Sequence, residues 1–465
     1  MKIKFGTDGW RGIIAQDFTV ENVSRVAEAT AKWLKKQSNT PSAVIGHDCR
    51  FAGELFAQTT ASVLVAHGVK VFLAKDFVST PMVSLGTVHY KATAGIIITA
   101  SHNPPSYNGF KIKASFGGPA TPAMIDEVEA LIPDVFNGVM ADFEQSVANG
   151  QIEYIDLETL YCNHIEKHFD IALIKNKKLE LAYDAMYGAG QNVIRRLFPE
   201  ATFLHCEHNP GFMGQAPEPI HKNLQEFSDM IRLSEEIDCG LVTDGDADRI
   251  GLYNKKGEFV DSHHIILLLI HYLHKYKGLS GKVITTFSAT SKIKKLCEAY
   301  GLPVQITKIG FKYICEYMIK ENVLVGGEES GGIAITGHIP ERDGIWIGIT
   351  LWEFMAKTGK SLDELIQEVY EVTGSFSMER NDLHLKEEKK QQIIGHCKNG
   401  TYTAFDDLKV VKVEDVDGYK FHLSDSEWVM IRPSGTEPVL RTYAEAATKK
   451  RADEILQKTA ATILR

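Results

Sequence analysis

Apolar and polar positions alternate along the chain in a unit that occurs three times. The first begins with a β-branched run at 43–46 (AVIG) and the polar turn HDCRFAG. A helical stretch leads to a second run at 69–73 (VKVFL), and another to 95–98 (GIII), which ends in TASHNPPSYNGFK. The second unit runs from 179–183 (LELAY) through DAMYGAG, the helical QNVIRRLF, 201–204 (ATFL) and a helix near 227–236. It closes with 239–242 (CGLV) and TDGDADR. The third runs from 282–286 (KVITT) through FSATS, the helical KIKKLCEAYG, 303–306 (PVQI) and FKYICEYMIKEN, closing with 323–325 (VLV) and GGEESGG. Alternating strand and helix patterns predict open α/β sheets. Ligands bind such sheets at the carboxyl ends of their strands, where each unit carries one polar loop.

Helix signals support this division. Thr121 followed by Pro122 marks a helix start, with Met124, Ile125, Val128, Leu131 and Ile132 at helical spacing. Ser361 and Glu364 form a capping-box pattern before LIQEVY. After about residue 372 the pattern changes to short strand-like runs, VVKVED, YKFHLS and WVMIRP, with a final helix from about Lys449. This tail reads as a smaller α+β domain. Its polar loop is RPSGTEP, from Arg432. The expected domains are 1–147, 148–252, 253–371 and 372–465.

The 465 residues carry 60 Asp and Glu against 51 Lys and Arg, a net charge of -9. That argues against a general binder of nucleic acid or anionic membrane, though a few convergent cations still suffice for a small anion. The seven cysteines are odd in number and include no CxxC pair, which suits a reducing compartment. No signal-peptide pattern opens the sequence, and its longest aliphatic run, 265–270, is too short to span a bilayer. A cytoplasmic protein is expected.

Each loop suggests its own chemistry. In DGDADR, Asp244, Asp246 and Asp248 stand at i, i+2 and i+4, which on an extended or looped chain aims them one way. Clustered carboxylates repel and call for a cation, and oxygen ligands suit Mg²⁺. An EF-hand fails, since Arg249 and Lys255 replace the required Gly and Glu. A haloacid-dehalogenase-type phosphatase is an alternative, but it leaves Ser101 unexplained. In TASHNPPSYNGFK, Ser101 needs a base or a prior modification to react. A phosphorylated Ser101 could share a divalent cation with the aspartates, while His102 and Lys111 steady charge or move a proton. No GxSxG elbow surrounds the serine. GEESGG offers acceptors for a polyhydroxylated ligand. RPSGTEP offers a cation, Ser434, Thr436 and approachable backbone for a phosphate, with Arg441 nearby. The GKS at 359–361 lacks a P-loop's leading glycine, and HIEKH, 164–168, lacks the zincin order and reads as a surface helix.

Taken together, FGTDGWRG, TASHNPPSYNGFK, DGDADR, GEESGG and RPSGTEP resemble the phosphoglucomutase and phosphomannomutase family of α-D-phosphohexomutases, in the family's order and along the whole chain. The resemblance implies three similar α/β domains with mixed sheets and a C-terminal α+β, TBP-like domain acting as a lid, around a central cleft. It implies a phosphoserine at Ser101 and Mg²⁺ ligands at Asp244, Asp246 and Asp248, with the Ser101 phosphate completing the shell. Arg11 and Lys111 match cations at the transferring phosphate. Glu328 and Ser330 match sugar-hydroxyl readers, and Arg432, Ser434, Gly435 and Thr436 match the site of the other phosphate. Arg249, Lys312, His338, Arg342 and Arg441 are further candidates for substrate contacts.

The implied reaction interconverts hexose 1-phosphate and hexose 6-phosphate through a bisphosphate, with glucose 1,6-bisphosphate as activator. GEESGG, GFK at 310–312 and HIPERDGIW at 338–346 look closer to glucose-preferring members, and mannose phosphates are plausible second substrates. A small hexose phosphate is the expected partner, and the expected state is a monomer or weak dimer. The competing readings are the metal-dependent phosphatase and a non-catalytic sugar-phosphate-binding scaffold.

Overall fold

Three sheets in this chain share one strand order. The computed structural model describes residues 2–6, 8–433 and 439–465. In the first sheet, Ser42–His47 lies between the parallel strands Lys70–Ala74 and Ala94–Ile98, and Tyr107–Ala114 returns antiparallel beside the last. The second places Leu181–Asp184 between Thr202–Leu204 and Cys239–Thr243, with Ile250–Asn254 returning. The third places Lys282–Thr286 between Val304–Thr307 and Val323–Gly327, with Ile333–Ile335 returning.

The polar loop that closes each of the three units is therefore a hairpin joining the third parallel strand to an antiparallel return. The first of these return strands escapes the hydrophobic pattern for a physical reason. Tyr107–Ala114 (YNGFKIKA) places Lys111 and Lys113 on fully buried positions, so its polar residues are not solvent-facing.

Two edge strands enlarge the first sheet: Trp10–Ile13, antiparallel to Tyr107–Ala114, and Ile152–Ile155, parallel to Lys70–Ala74. The first sheet thus reaches past residue 147. The fourth domain is an antiparallel sheet of Ser377–His384, Val439–Ala446, Trp428–Pro433, Tyr419–His422 and Lys412–Glu414, covered by the helix Lys449–Ile463.

Alternation along the first sheet separates two cores. Val44 and Ile97 face a core that continues through the second and third domains. Ile45, Ile96 and Ile98 face one built with Val23, Val26 and Trp33 of the helix Val20–Gln37. The helix Gly344–Thr358 is buried along almost its whole length, as its continuous apolar run demands. The fourth domain keeps its own core around Phe421, Val429, Leu440 and Ile455.

Both helix starts form as expected. Thr121 Oγ1 accepts from Met124 N ahead of the helix Pro122–Glu129. Ser361 and Glu364 make the reciprocal box at the helix Leu362–Thr373. All seven cysteines are buried and unpaired. Among the described residues no helix is long and apolar enough to cross a membrane.

Ser361→Ala removes one half of the capping box. It should destabilise the helix Leu362–Thr373 by about 1 kcal/mol, read as roughly fivefold faster amide exchange in its first turns. Unchanged exchange there would show that the cap contributes nothing.

Candidate active site

Ser101 lies three residues past the third parallel strand of the first domain, Ala94–Ile98, and takes a left-handed backbone, φ 53°. Its side chain is buried, and Oγ donates to Asp244 Oδ2 at 2.7 Å. Asp244 begins the corresponding hairpin of the second domain. Gly245 allows these two loops to meet, and Gly9 allows its own segment to approach Lys111. A Cβ on Gly245 would stand 2.6 Å from the Ser101 carbonyl oxygen, and one on Gly9 would stand 2.7 Å from Lys111 Cγ. Thus the glycine inside DGDADR is required by close approach.

Asp244, Asp246 and Asp248 are fully buried and bring ligand oxygens within 4.8 Å of one another. The left-handed Ala247, φ 56°, bends the loop so that they converge. Asp244 Oδ1 accepts from the backbone N of Asp248 (3.0 Å) and of Arg249 (3.1 Å). Asp246 is received by the start of the helix Thr80–His89, where Thr80 Oγ1 donates to Oδ2 at 2.5 Å and Thr80 N donates to the Asp246 carbonyl at 3.0 Å. Asp246 Oδ1 and Asp248 Oδ1 are buried and accept no hydrogen bond. A hard divalent cation with oxygen ligands fits this donor set, because it would satisfy both orphaned oxygens and offset the repulsion. That repulsion is visible in Asp244: burial, reinforced by Asp246 and Asp248, pushes its carboxyl well above the usual range.

Cations surround the trio. Lys111 Nζ lies 2.8 Å from Asp246, 2.9 Å from Asp8 and 3.4 Å from Asp248. Burial opposes its charge, yet Asp246, Asp8 and Asp248 outweigh burial and raise its pKa. Lys111 is therefore a fixed positive charge rather than a base. Arg342 pairs with Asp248 at 2.6 Å and with Asp8. Arg11 Nη1 donates to Asn103 Oδ1 at 2.6 Å. Arg249 has a buried Nε without a hydrogen-bond partner. His102 Nδ1 lies 3.4 Å from Ser101 Oγ. Burial, helped by Arg249, Arg11, Lys111 and Arg50, lowers its pKa well below the ordinary value, so the imidazole is neutral.

The third hairpin contributes Glu328, buried, whose Oε1 accepts from Gly310 N at 2.9 Å. Burial lifts its carboxyl to about 7 against the pull of Arg342. Ser330 is half-buried on the same loop. Lys312 lines a cavity of about 100 Å³ together with Asp8 and Gly9.

His338 must be withdrawn from the substrate contacts. Its Nε2 lies 2.9 Å from Asp343 Oδ2, its Nδ1 lies 3.3 Å from His164 Nε2, and its ring stacks on Trp346 with centroids 3.8 Å apart. With both nitrogens engaged, one face covered and 2% of the side chain exposed, no edge is left for a sugar. HIEKH lies on a surface helix as expected, Leu157–His168, with Glu166, Lys167 and His168 exposed, while His164 on its inner side packs against His338 and Trp346.

In the fourth domain, Arg432 and Arg441 are opposed on neighbouring strands. Like charges so placed repel and need anions. Arg432 Nε donates to Asp417 Oδ1 at 3.3 Å, and Arg441 Nε lies 3.8 Å from Asp382. Asp417 Oδ2 also accepts from Ile309 N at 2.8 Å, tying this domain to the third. Ser434, Gly435 and Thr436 lie outside the described residues.

Sequence models of phosphoglucomutase/phosphomannomutase match all four domains. Alpha/beta/alpha domain I matches residues 2–137, domain II 159–257, domain III 261–373 and the C-terminal domain 387–462. The chain belongs to the phosphoglucomutase/phosphomannomutase family. It is 29% identical over 460 residues to the phosphoglucomutase/phosphomannomutase of Thermococcus kodakarensis, covering 97% of this chain and 96% of that one. It is 31% identical over 464 residues to the phosphoglucosamine mutase of Methanocaldococcus jannaschii, covering 98% and 96%. A crystal structure of a provisional phosphomannomutase from Thermus thermophilus superposes with a TM-score of 0.88 at 32% identity over 100% of both chains. This phosphohexomutase chain thus has the family's fold, and its relatives act on different sugars by name.

Several residues of this phosphohexomutase site were not predicted. Asp8 gathers Lys111, Arg342 and, at 3.8 Å, Lys113. Thr80 anchors Asp246, and Arg50 binds the Ser101 loop. Glu341 pairs with Lys113 at 2.7 Å and accepts from Ser84 Oγ at 2.9 Å. Asp8 sits in the quoted FGTDGWRG and Arg50 in HDCRFAG, so acids and cations in Gly-rich strand-end turns were the available signal. Thr80 carried only a helix-start pattern, Ser79 before Pro81.

Three measurements test this geometry. Asp248→Asn should weaken Mn²⁺ binding, followed by its EPR signal, by more than about tenfold, since loss of an outer-sphere partner alone costs that much. Unchanged affinity would remove Asp248 from the cation site. Glu328 should titrate near pH 7, visible as a carboxyl band in difference infrared spectra that Glu328→Gln abolishes. Its folded pKa exceeds the ordinary 4.5, so the unfolded chain binds fewer protons in that window. The contribution of Glu328 to stability should therefore decline as pH rises from about 4.5 to 7, and Glu328→Gln should flatten that decline.

Proposed function

We propose that the chain interconverts α-D-glucose 1-phosphate and glucose 6-phosphate through a phosphoserine at Ser101 and glucose 1,6-bisphosphate, with mannose phosphates as secondary substrates. The observation that carries this reading is the 2.7 Å hydrogen bond from Ser101 Oγ to Asp244 inside a buried, cation-rimmed carboxylate cluster. Bound Mg²⁺ would be held by Asp244, Asp246 and Asp248 with an oxygen of the Ser101 phosphoryl group, and would supply positive charge to the transferring oxygens.

In the first half-reaction the sugar O6 forms a bond to phosphorus while the Ser101 Oγ–P bond breaks. The O6 proton passes to Ser101 Oγ through the neutral His102. In the second half-reaction Ser101 Oγ bonds to the phosphorus at O1, the O1–P bond breaks, and the same proton passes to O1. Lys111 and Arg11 stabilise the phosphoryl group throughout, because catalysis of this transfer is chiefly placement and charge. Between the halves the bisphosphate turns over. Arg432, Arg441 and the loop of Ser434, Gly435 and Thr436 then hold whichever phosphate is not reacting. Glu328, Ser330 and Lys312 read the sugar hydroxyls and Arg249 guides the ring. Arg342 acts through its pairs with Asp248 and Asp8.

The glucose preference rests on GEESGG at 327–332, which differs from the GEMSGH and GEQSGH patterns of mannose- and glucosamine-active members. Glu329 in that loop accepts from Ser288 Oγ at 2.6 Å, which supports a loop with a set shape.

Ser101→Ala should abolish turnover of glucose 1-phosphate while leaving the fold intact by circular dichroism. Retained turnover would remove Ser101 as the nucleophile. A coupled assay across glucose, mannose, glucosamine and N-acetylglucosamine 1-phosphates, with Mg²⁺ and trace bisphosphate, should give the highest kcat/KM for glucose. Faster turnover of an amino sugar would overturn the substrate assignment, and net release of free phosphate would make the protein a phosphatase.

A further inference from the structure

We infer that Arg50 is a positioning residue that sets where Ser101 Oγ stands relative to the aspartate trio, an inference that rests on the phosphoserine reading above. Arg50 lies in the turn after Ser42–His47, the strand beside Ala94–Ile98, which leads into the Ser101 loop. It is 3% exposed. Nη1 donates to the carbonyls of Pro104 (2.8 Å) and Tyr107 (3.0 Å), and Nη2 to those of Ser101 (2.6 Å) and Asn103 (2.6 Å). A guanidinium has four N–H groups on its two terminal nitrogens, and one loop takes all four. Nε faces Asp48 Oδ2 at 3.4 Å. No terminal proton is left for a phosphate, so this arginine, unlike the half-exposed Arg11 and Arg249, is not a ligand-binding group.

The loop it holds cannot hold itself. Four carbonyl dipoles converge on one point, an arrangement that needs a buried cation at its centre. Ser101 is also held from its other side. Its N–H donates to Thr99 Oγ1 at 2.9 Å, and Thr99 Oγ1 donates to Asp48 Oδ2 at 2.5 Å. Asp48 Oδ1 accepts from Arg50 N at 3.0 Å, which closes the circuit. Both peptide groups of Ser101 are thereby fixed, and its left-handed backbone, disfavoured for a residue with a Cβ, is imposed by this circuit.

The clamp also reaches the second domain. The Phe212 ring, 1% exposed, lies 5.1 Å from Arg50 Cζ. The same segment brings Pro217 against Gly245 of the metal loop. Arg50 therefore joins the serine loop to the segment that backs the aspartates. Lysine at position 50 would keep the charge but could not reach four carbonyls spread along the loop.

The test compares wild type, Arg50→Lys and Phe212→Leu in three readouts: steady-state kinetics with glucose 1-phosphate, single-turnover transfer from the phosphorylated enzyme, and amide exchange. For Arg50→Lys, kcat and the transfer rate should fall about 100-fold, the loss expected for a displacement near 1 Å. KM should change less than about threefold, because no substrate contact is lost. Exchange at residues 101–107 should rise at least about tenfold while the strand Ser42–His47 is unchanged. Phe212→Leu should show the same pattern more weakly, with a fully folded protein. Unchanged kcat, or a rise in KM at constant kcat, would overturn the inference. If the wild type itself neither isomerises the sugar nor carries a phosphoserine, the functional reading fails separately. The exchange data then decide: a loosened loop in Arg50→Lys upholds the clamp, and an unchanged loop refutes it.

Discussion

Three mutually repelling carboxylates, buried beside a serine hydroxyl, are the constraint around which this molecule is arranged. Asp244, Asp246 and Asp248 stand at zero exposure, where unbalanced charge is costly and compensating partners are needed. The compensation comes from other domains: Lys111 and Thr80 from the first, Arg342 from the third. The electrostatics of the site and the assembly of the domains are one problem, and the same contacts answer both.

The segment Glu341, Arg342 and Asp343 shows how this works. Glu341 pairs with Lys113 of the first domain, and Arg342 reaches the aspartates and Asp8. Asp343 accepts from Tyr161 of the second domain and from Trp346 N, so it also caps the long buried helix. Three consecutive charged residues thus point to three places, and the helix Gly344–Thr358 behind them keeps them registered. The repeated sheet order supplies the rest. Each α/β unit presents one hairpin at the carboxyl end of its third parallel strand, and the three hairpins carry Ser101, the aspartate trio, and Glu328 with Ser330.

The parallel strands and the polar loops were legible because their apolar runs are short, β-branched and punctuated by glycine and charge. Ser101, Lys111 and the aspartates were legible because such residues have no reason to follow a buried strand except chemistry. The antiparallel return Tyr107–Ala114 was not, since Lys111 and Lys113 break the alternation that would reveal a strand. His338 misled because a histidine in a polar motif looks available, and only the packing of Trp346 and His164 shows it is consumed. Arg50 was overlooked because its partners are main-chain carbonyls, which leave no mark in side-chain composition.

The central claim is that the Ser101 phosphoryl group and the aspartate trio bind a single divalent ion. Its most direct measurement is pulsed electron–nuclear double resonance on the phosphorylated protein loaded with Mn²⁺. The account predicts a strong ³¹P hyperfine coupling, the mark of a phosphoryl oxygen bound directly to the metal, which disappears when Ser101 is dephosphorylated. A Mn²⁺ signal with no ³¹P coupling in protein shown by mass to carry the phosphoserine would contradict it.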